Sequence, residues 1–408
     1  MSSFDLFSPC PRGLEAVLAS ELGEIGMRHT PLSVGASVPG GVHFQGGWLA
    51  AMAVNLHSRI ASRVLLKLVS RAYRNENDIY ALAREQRWEQ WFGPKQTLRI
   101  DMTAVKSPLK SVDFATLKVK DAICDRLRES AGDRPSIDTL TPDVRVFVFL
   151  DATQCTLYLD TTGEPLFKRG WRLDKGAAPL RENLAAGILR LSGWQPGTSL
   201  YDPMCGSGTF VAEAAQVALG IAPGSARRFG FEKVRGYDIT AWQALKVAAM
   251  DARRAARVQT AELGIFGSDI SGDMLVKARA NLERAGVSGV PLKQLDARGV
   301  AAPSADPGVL LANPPYGERI EVRGRRRLDD DEPAFQRGGA QADEAFFQSF
   351  GDALKRGFAG WQAFVLSADR GLPGKMRLRE SQKTPLFNGN IECRLFRFDL
   401  VSGSLRKG

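Results

Sequence analysis

The chain has 408 residues, 44% of them hydrophobic, with 55 Lys and Arg against 45 Asp and Glu and a formal charge of +10. That length and apolar content suffice for more than one core, so two or three domains are expected. No run of 18 apolar residues occurs, which excludes a spanning helix, and the opening MSSFDLFSPCPRG lacks the basic-then-apolar order of a secretory signal.

Residues 1–56 read as a small α/β piece: a strand near Phe4 to Phe7, a helix from Pro11 to Leu22, and glycine-bounded strands around Val34 and Val42. From 57 to 162, helices mix with strands over Gln96 to Thr103 and Val144 to Leu150. A further strand around Leu157 to Leu159 ends in the Thr161-Thr162-Gly163 turn. Charge is uneven here, with 13 Lys and Arg against 6 Asp and Glu over 51–120, but 4 against 8 over 121–160. Arg59, Arg63, Lys67, Arg71 and Arg74 recur every three or four residues. As a helix they would form one basic stripe for a polyanion; with a strand over Ala61 to Ser70 the stripe dissolves.

The remainder, 163–408, opens with Lys168 to Trp171 as a bridge. A helix follows whose apolar face is Leu180, Leu184, Ile188 and Leu191. The apolar run Thr198 to Tyr201 and the helix-forming stretch Phe210 to Leu219 then flank Asp202-Pro203-Met204-Cys205-Gly206-Ser207-Gly208-Thr209. This is a strand-turn-helix junction whose glycines admit close backbone approach, and whose helix start offers free N–H groups to a nucleoside cofactor. No Gly-Lys-Ser/Thr ending makes it a phosphate-cradling loop, and Val211 stands where a dinucleotide fingerprint needs a third glycine. A tight structural turn is the bland alternative.

Two acids are candidates for a ribose: Asp238 and Asp269, each read as following a strand and preceding a helix. Order favours Asp269, because a helix (Ser271 to Ala285), a strand (Val290 to Asp296) and the strand Val309 to Ala312 follow it in βαβ alternation. Asp238 then falls in an insertion. A carboxylate suits a vicinal diol because it accepts two hydrogen bonds.

After Val309 to Ala312 comes Asn313-Pro314-Pro315-Tyr316. The prolines force the chain out of the sheet at Asn313. The Asn313 side chain and the Pro314 carbonyl then stand as two acceptors at a strand tip. An aromatic exocyclic amine is a poor nucleophile because its lone pair is conjugated into the ring. Two acceptors on its two N–H groups pull it towards pyramidal geometry, and Tyr316 offers a stacking face for an extruded base. A surface turn is the alternative. A mixed-charge stretch, Glu321 to Ala342, follows with Arg323, Arg325, Arg326 and Arg327, either an RNA-backbone grip or a self-compensating loop. Asn388-Gly389 then signals a hairpin before Ile391 to Leu400.

The only histidines are His29, His43 and His57, away from both motifs, which argues against a Ser-His or Cys-His hydrolase and imidazole-ligated metal there. Five cysteines without paired C-x-x-C spacing argue against disulfides and zinc, and Cys205 reads as a small apolar filler. A reducing, cytoplasmic setting is expected, with no metal, no membrane and no obligate protein partner.

Lys168-Arg169-Gly170-Trp171-Arg172, the run Ala178 to Ala186, the glycine turn, Gly267-Ser268-Asp269-Ile270 and Asn313 to Arg319 together resemble the bacterial THUMP-domain class I RNA methyltransferases. The chain is most similar to the 23S rRNA guanine-N2 methyltransferase family, which includes the amino-terminal half of the fused enzyme RlmL. The resemblance implies an α/β fold: a Rossmann-like methyltransferase domain with a seven-stranded sheet over 163–408, a ferredoxin-like region over 1–56, and THUMP over 57–162. It implies S-adenosylmethionine (SAM) as cofactor and structured RNA as partner, 23S rRNA foremost and tRNA next. The cofactor residues it implies are Asp202, Pro203, Cys205, Gly206, Ser207, Gly208, Thr209, Asp269, Ile270, Asp296, Ala297 and Asn313, with Asp296 on the adenine amine. The catalytic residues it implies are Asn313, Pro314, Pro315 and Tyr316. Ending at 408, the chain is expected to lack the second methyltransferase of the fused enzyme. A DNA adenine methyltransferase and a non-catalytic RNA-binding assembly factor remain alternatives.

Overall fold

A computed structural model describes residues 3–173, 180–257, 263–287, 289–314 and 339–401. Pro315, Tyr316 and most of the charged stretch 321–342 lie outside the described residues.

The first sheet draws on β1 (Phe4–Pro9), β2 (Leu32–Val38), β3 (Gly41–Gly46), β4 (Leu65–Ala72), β5 (Leu98–Ala104), β6 (Val144–Leu150) and β7 (Gln154–Asp160), in the order β2-β3-β1-β4-β7-β6-β5. Between them run α1 (Glu15–His29), α2 (Trp48–His57), α3 (Glu76–Glu85) and α4 (Val112–Ala131). β6 shows why alternation works: Val144, Val146, Val148 and Leu150 are all buried in VRVFVFL. α4 buries Ala115, Val119, Ala122, Ile123 and Leu127, one stripe at helical spacing. The helix expected from Pro11 instead begins at Glu15, because Pro11 to Leu14 form a turn closed by Leu14 N–H to the Pro11 carbonyl (3.1 Å). It also runs past Leu22 to His29.

The basic stripe does not form. Leu65–Ala72 is a strand, which sends successive side chains to opposite faces. Arg63 pairs instead with the buried carboxylate of Asp160, and Arg71 with Glu85 at 2.8 Å.

The second sheet follows α5 (Glu182–Leu191). It contains β8 (Leu200–Asp202), β9 (Ile265–Asp269), β10 (Leu292–Gln294), β11 (Val309–Ala312), β12 (Gln362–Ser367), β13 (Gln382–Asn388) and β14 (Ile391–Asp399), in the order β10-β9-β8-β11-β12-β14-β13. Its helices are α6 (Thr209–Ala218), α8 (Gly272–Arg284), α9 (Gly339–Gly357) and α10 (Leu372–Met376), numbered around α7 (Ile239–Arg257), of which the residues up to 248 belong with the first unit. β10, β9, β8, β11 and β12 are mutually parallel, and β14 is antiparallel to both β12 and β13. Phe347, Phe350, Leu354 and Phe358 recur at helical spacing along and just past α9 and join Leu310, Trp361 and Phe396 in one core. The hairpin loop is Gly389-Asn390, one residue later than Asn388-Gly389. Asn388 pairs with Ile391, and Gly389 takes φ 65°, as the first position of a type II′ turn requires.

The compact units interleave in sequence: 11–17 belongs with the second unit and 223–248 with the first. Segment 223–248 is held in the first unit by Gly224 N–H to the Leu56 carbonyl (2.9 Å) and Arg235 N–H to the Trp91 carbonyl (2.7 Å). Asp238 lies in this segment. It follows a 3-10 turn, Gly230–Lys233, rather than a strand, and its side chain accepts from Ala241 N–H (2.9 Å) at the start of α7.

Among the described residues no helix is long and apolar enough to cross a membrane, and no cluster of three or more His, Cys, Asp or Glu is placed to hold a metal ion.

Candidate active site

The strand order dictates where a ligand binds. From β8 the chain proceeds outward through β9 to β10, then returns to β11 on the other side of β8. The C-terminal ends of β8 and β11 therefore flank a topological switch point, the usual ligand crevice of an open parallel sheet. Asp202 ends β8 and Asn313 directly follows β11.

The turn after Asp202 is locked from several sides. Gly206 takes φ 53° and Gly208 φ 83°, a left-handed region that L side chains avoid. Gly208 N–H returns to the Cys205 carbonyl (2.8 Å), and α6 starts at Thr209. From β9, the Ser268 carbonyl accepts from Cys205 N–H (2.8 Å) and the Asp269 carboxylate accepts from Gly206 N–H (2.8 Å). The Ser268 hydroxyl bonds the Tyr201 phenol (2.6 Å) and reaches the Pro203 carbonyl (3.4 Å). From α8, Asn281 Nδ2 donates to the Ser207 carbonyl (3.0 Å). Asn281 is itself oriented by Arg284, whose Nη2 donates to Asn281 Oδ1 (2.6 Å) and whose Nε donates to the Trp171 carbonyl (2.9 Å). Trp171, within the Lys168 to Arg172 motif, is thus tied to the glycine turn through two side chains.

Two buried ion pairs brace the same region. Arg169 meets Glu213 of α6 at 3.1 Å, with 1% and 0% of the side chains exposed, and Arg172 meets Glu182 of α5 at 2.6 Å.

Three carboxylates mark the ends of β8, β9 and β10. Asp202 is buried and accepts from Met204 N–H (3.1 Å). Burial pushes its carboxyl well above the usual carboxylate range, and the neighbouring Asp269 charge pushes the same way. Asp269 also accepts from Ser271 N–H (2.9 Å), and its carbonyl from Leu295 N–H (3.1 Å). Asp296 follows β10 and is chelated by Arg298 through Nε (3.0 Å) and Nη2 (2.5 Å), which lowers its pKa. Ile270 is exposed and Ala297 buried. Burial pushes the Cys205 thiol well above its usual range, with Asp202 and Asp269 adding to the effect, so it stays protonated and inert. Pro314 is buried and Asn313 half-buried.

The structure therefore brings Asp202, the glycine turn, Asp269, Asp296 and Asn313 to one end of one sheet, and leaves Asp238 in the other unit. Such a site suits a ligand with a cationic group, a vicinal diol and an amine. The sequence alone assigns no role to Ser268, Asn281, Arg284 or the Arg169–Glu213 pair. Bonds between residues 44 to 113 positions apart leave no periodic signal.

Three family models match the chain: an RlmL ferredoxin-like domain over 5–65, a THUMP domain over 73–160, and an RMKL-like methyltransferase domain over 169–328. A relative in Synechocystis sp., named "Putative RNA methyltransferase slr0064", is 35% identical over 97% of this chain and 96% of its own length. The chain belongs to the THUMP-bearing RMKL-like methyltransferases. Members of this family are SAM-dependent enzymes. It is also 40% identical to the ribosomal RNA large subunit methyltransferase K/L of Psychromonas ingrahamii, over 95% of this chain but 49% of that protein. The chain spans about half the length of that relative and of others like it, at 49–55%. The crystal structure of SMU.472, "a putative methyltransferase complexed with SAH", superposes with a TM-score of 0.82 at 28% identity, covering 100% of both chains. SAH is what SAM becomes on losing its methyl group.

The residues fit that cofactor. Asp202 is a buried carboxylate with no cationic partner among the described residues, and beside it Gly206 and Gly208 hold left-handed φ values that keep the turn bare of side chains.

Proposed function

We propose that the protein transfers the methyl group of SAM to the exocyclic N2 of a guanine in structured RNA, with 23S rRNA the favoured substrate. The observation that carries this reading is the pairing of β8 with β11, which sets the start of the glycine turn and Asn313-Pro314 side by side at the switch point. When bound, SAM supplies a methyl group on a sulfonium, and everything else is positioning. Asp202 faces the cationic end of the cofactor, while Pro203, Cys205, Ser207 and Thr209 complete the turn around Gly206 and Gly208. Asp269 accepts from the ribose diol and Asp296 from the adenine amine, with Ile270 and Ala297 against the ring. A carboxylate has about four acceptor sites, so Asp296 can hold Arg298 and the amine together.

Asn313 Oδ1 and the Pro314 carbonyl accept from the two N–H groups of the target amine and aim its lone pair at the methyl carbon. No strong base is needed before attack, since the amine loses its proton readily once alkylated. Pro315 and Tyr316 complete the motif in sequence. Residues 1–56 and 57–162 serve as ferredoxin-like and THUMP regions that dock RNA, ahead of the catalytic region 163–408. A cytoplasmic location is consistent with five cysteines that lack paired C-x-x-C spacing.

The test is transfer of labelled methyl from SAM to separated 23S rRNA, 16S rRNA, tRNA and DNA, with nucleoside analysis of the product. N2-methylguanosine in 23S rRNA is the expected result. Label in tRNA guanine keeps the chemistry and moves the substrate. Label only in DNA adenine, or none with cofactor bound, overturns the reading.

A further inference from the structure

The tip of β11 carries groups for an amine but none that tells one base from another. Asn313 Oδ1 and the Pro314 carbonyl are acceptors, and the exocyclic amines of guanine, adenine and cytosine all offer donors to them. The ends of the neighbouring strands supply what is missing. β12 runs parallel to β11 with Val365 beside Ala312, and continues to Ser367. β14 returns antiparallel with Arg394 opposite Ser367, so its first residues, Ile391 to Arg394, lie at the same end of the sheet as Asn313. Two strand spacings separate β14 from β11, about 10 Å in all. A guanine with hydrogen bonds on both sides spans about that distance.

Three charged side chains meet there. Arg370, three residues past β12, reaches Glu392 Oε1 through Nη2 (3.3 Å), and Arg394 Nη2 reaches the same oxygen (2.6 Å). A carboxylate has about four acceptor sites, so Glu392 can take a further donor. The arginines, Arg394 foremost, hold the Glu392 carboxyl below the usual carboxylate range and keep it an acceptor at neutral pH. The side chains of Arg370 and Glu392 are 73% and 44% exposed, and an ion pair so exposed adds little to stability. The loop beneath is nevertheless pinned. Asp369 N–H donates to Ser367 Oγ (3.0 Å), and the Asp369 carboxylate accepts from Gly371 N–H (2.8 Å) and pairs with Lys375 (2.8 Å). The fold thus presents, on a fixed loop, a charged pair that its stability does not need.

Next to N2, a guanine offers first N1–H, a donor, and then O6, an acceptor. A carboxylate beside a guanidinium matches that order, and arginine is a common donor to guanine O6. Adenine in the same pose turns its N1 lone pair towards the carboxylate and leaves both charged groups without partners, which penalises the wrong base. A phosphate would satisfy Arg370 but would be repelled by Glu392. We propose that Glu392 accepts from N1–H and Arg370 donates to O6 of the target base, so that this pair selects guanine at the strand tip. This rests on the reading of the protein as a guanine-N2 methyltransferase.

The test uses the full chain, SAM and the RNA fragment that accepts label, assembled with either guanine or 2-aminopurine at the methylated position. 2-Aminopurine keeps the exocyclic amine but has neither N1–H nor O6. Wild type should favour guanine in kcat/KM by at least about a hundredfold, because a site built for polar partners rejects a base that lacks them. Glu392→Ala and Arg370→Ala should each lower kcat/KM on guanine at least about tenfold without lowering it on 2-aminopurine, so the preference shrinks by that factor or more. A merely structural role would lower both substrates alike. SAM affinity should match wild type in both variants, which separates selection from damage to the fold. Equal losses on the two substrates, or no loss on either, overturn the selector. Equal losses with a flatter salt dependence of RNA binding in Arg370→Ala identify a phosphate contact, and equally overturn it. A wild type that methylates 2-aminopurine as fast as guanine overturns the selector and keeps the N2 chemistry. Label that nucleoside analysis finds on no guanine sinks the reading of the reaction and the selector together.

Discussion

The backbone N–H of Gly206 donates to the Asp269 carboxylate across 2.8 Å, joining the glycine turn to the end of the next strand. In the proposed function the same acid both holds the turn and presents its remaining acceptor sites to the ribose diol. Asp269→Ala should weaken SAM binding more than tenfold, and Asp269→Asn less, because the amide keeps one acceptor oxygen. Calorimetric titration with SAM on folded variants reads this directly, and equal affinities for Ala and Asn would remove the double role.

Gly208 tests the turn itself. Its φ of 83° would strain any other residue, and an added Cβ would lie 3.3 Å from the Ala278 Cβ of α8. Gly208→Ala should cost about 1–2 kcal/mol of stability, from the left-handed conformation alone. It should also raise the KM for SAM while leaving RNA affinity intact. Urea unfolding and steady-state kinetics would report the two effects separately.

Asp202 makes a pH-dependent prediction. Its folded pKa is raised above the unfolded value, so between those two pKa values the folded state binds more protons than the unfolded one. Stability therefore falls as pH rises through that window. Apo Asp202→Asn should lose this slope and melt higher than wild type at neutral pH, with the difference closing in acid, yet bind SAM poorly. Binding of the cationic cofactor to wild type should lower the Asp202 pKa, so protons should be released at pH values between those of the apo and bound states. Titration calorimetry across a pH series, in buffers of different ionisation enthalpy, measures that release, and no release at any pH would mean that Asp202 does not face the cation.

Much of this site is legible in the sequence where short-range chemistry governs it. Val309–Ala312 is an unbroken apolar run ended by prolines, and the strand has those same bounds. The glycine turn and Asp269 likewise follow from local spacing and βα order. Features set by distant partners are not legible. Arg63 and Arg71 recur at helical spacing, but β-branched and apolar neighbours pair with β7 and make a strand. Arg235 to Asp238 resemble a strand end only until the fold shows Arg235 N–H bonded to the Trp91 carbonyl of the first unit. The Trp171–Arg284–Asn281–Ser207 chain of hydrogen bonds runs through single side chains with no periodic trace.

The Arg169–Glu213 pair is almost wholly buried, so removing one member strands a charge. Glu213→Leu alone should destabilise the protein by about 3–5 kcal/mol. Arg169→Met combined with Glu213→Leu should recover most of that loss, as measured by chemical denaturation. A double variant no better than the single one would show that the pair does more than neutralise itself.

Asn313 carries the chemistry in this account, and the most direct measurement is single-turnover methyl transfer by Asn313→Ala at saturating SAM and RNA. The account predicts unchanged binding of both ligands and a rate at least about a hundredfold lower, the usual loss when a transition-state hydrogen-bond partner is removed. A near-wild-type rate would contradict the assignment of Asn313 and, with it, the reading of the strand-tip motif as the catalytic centre.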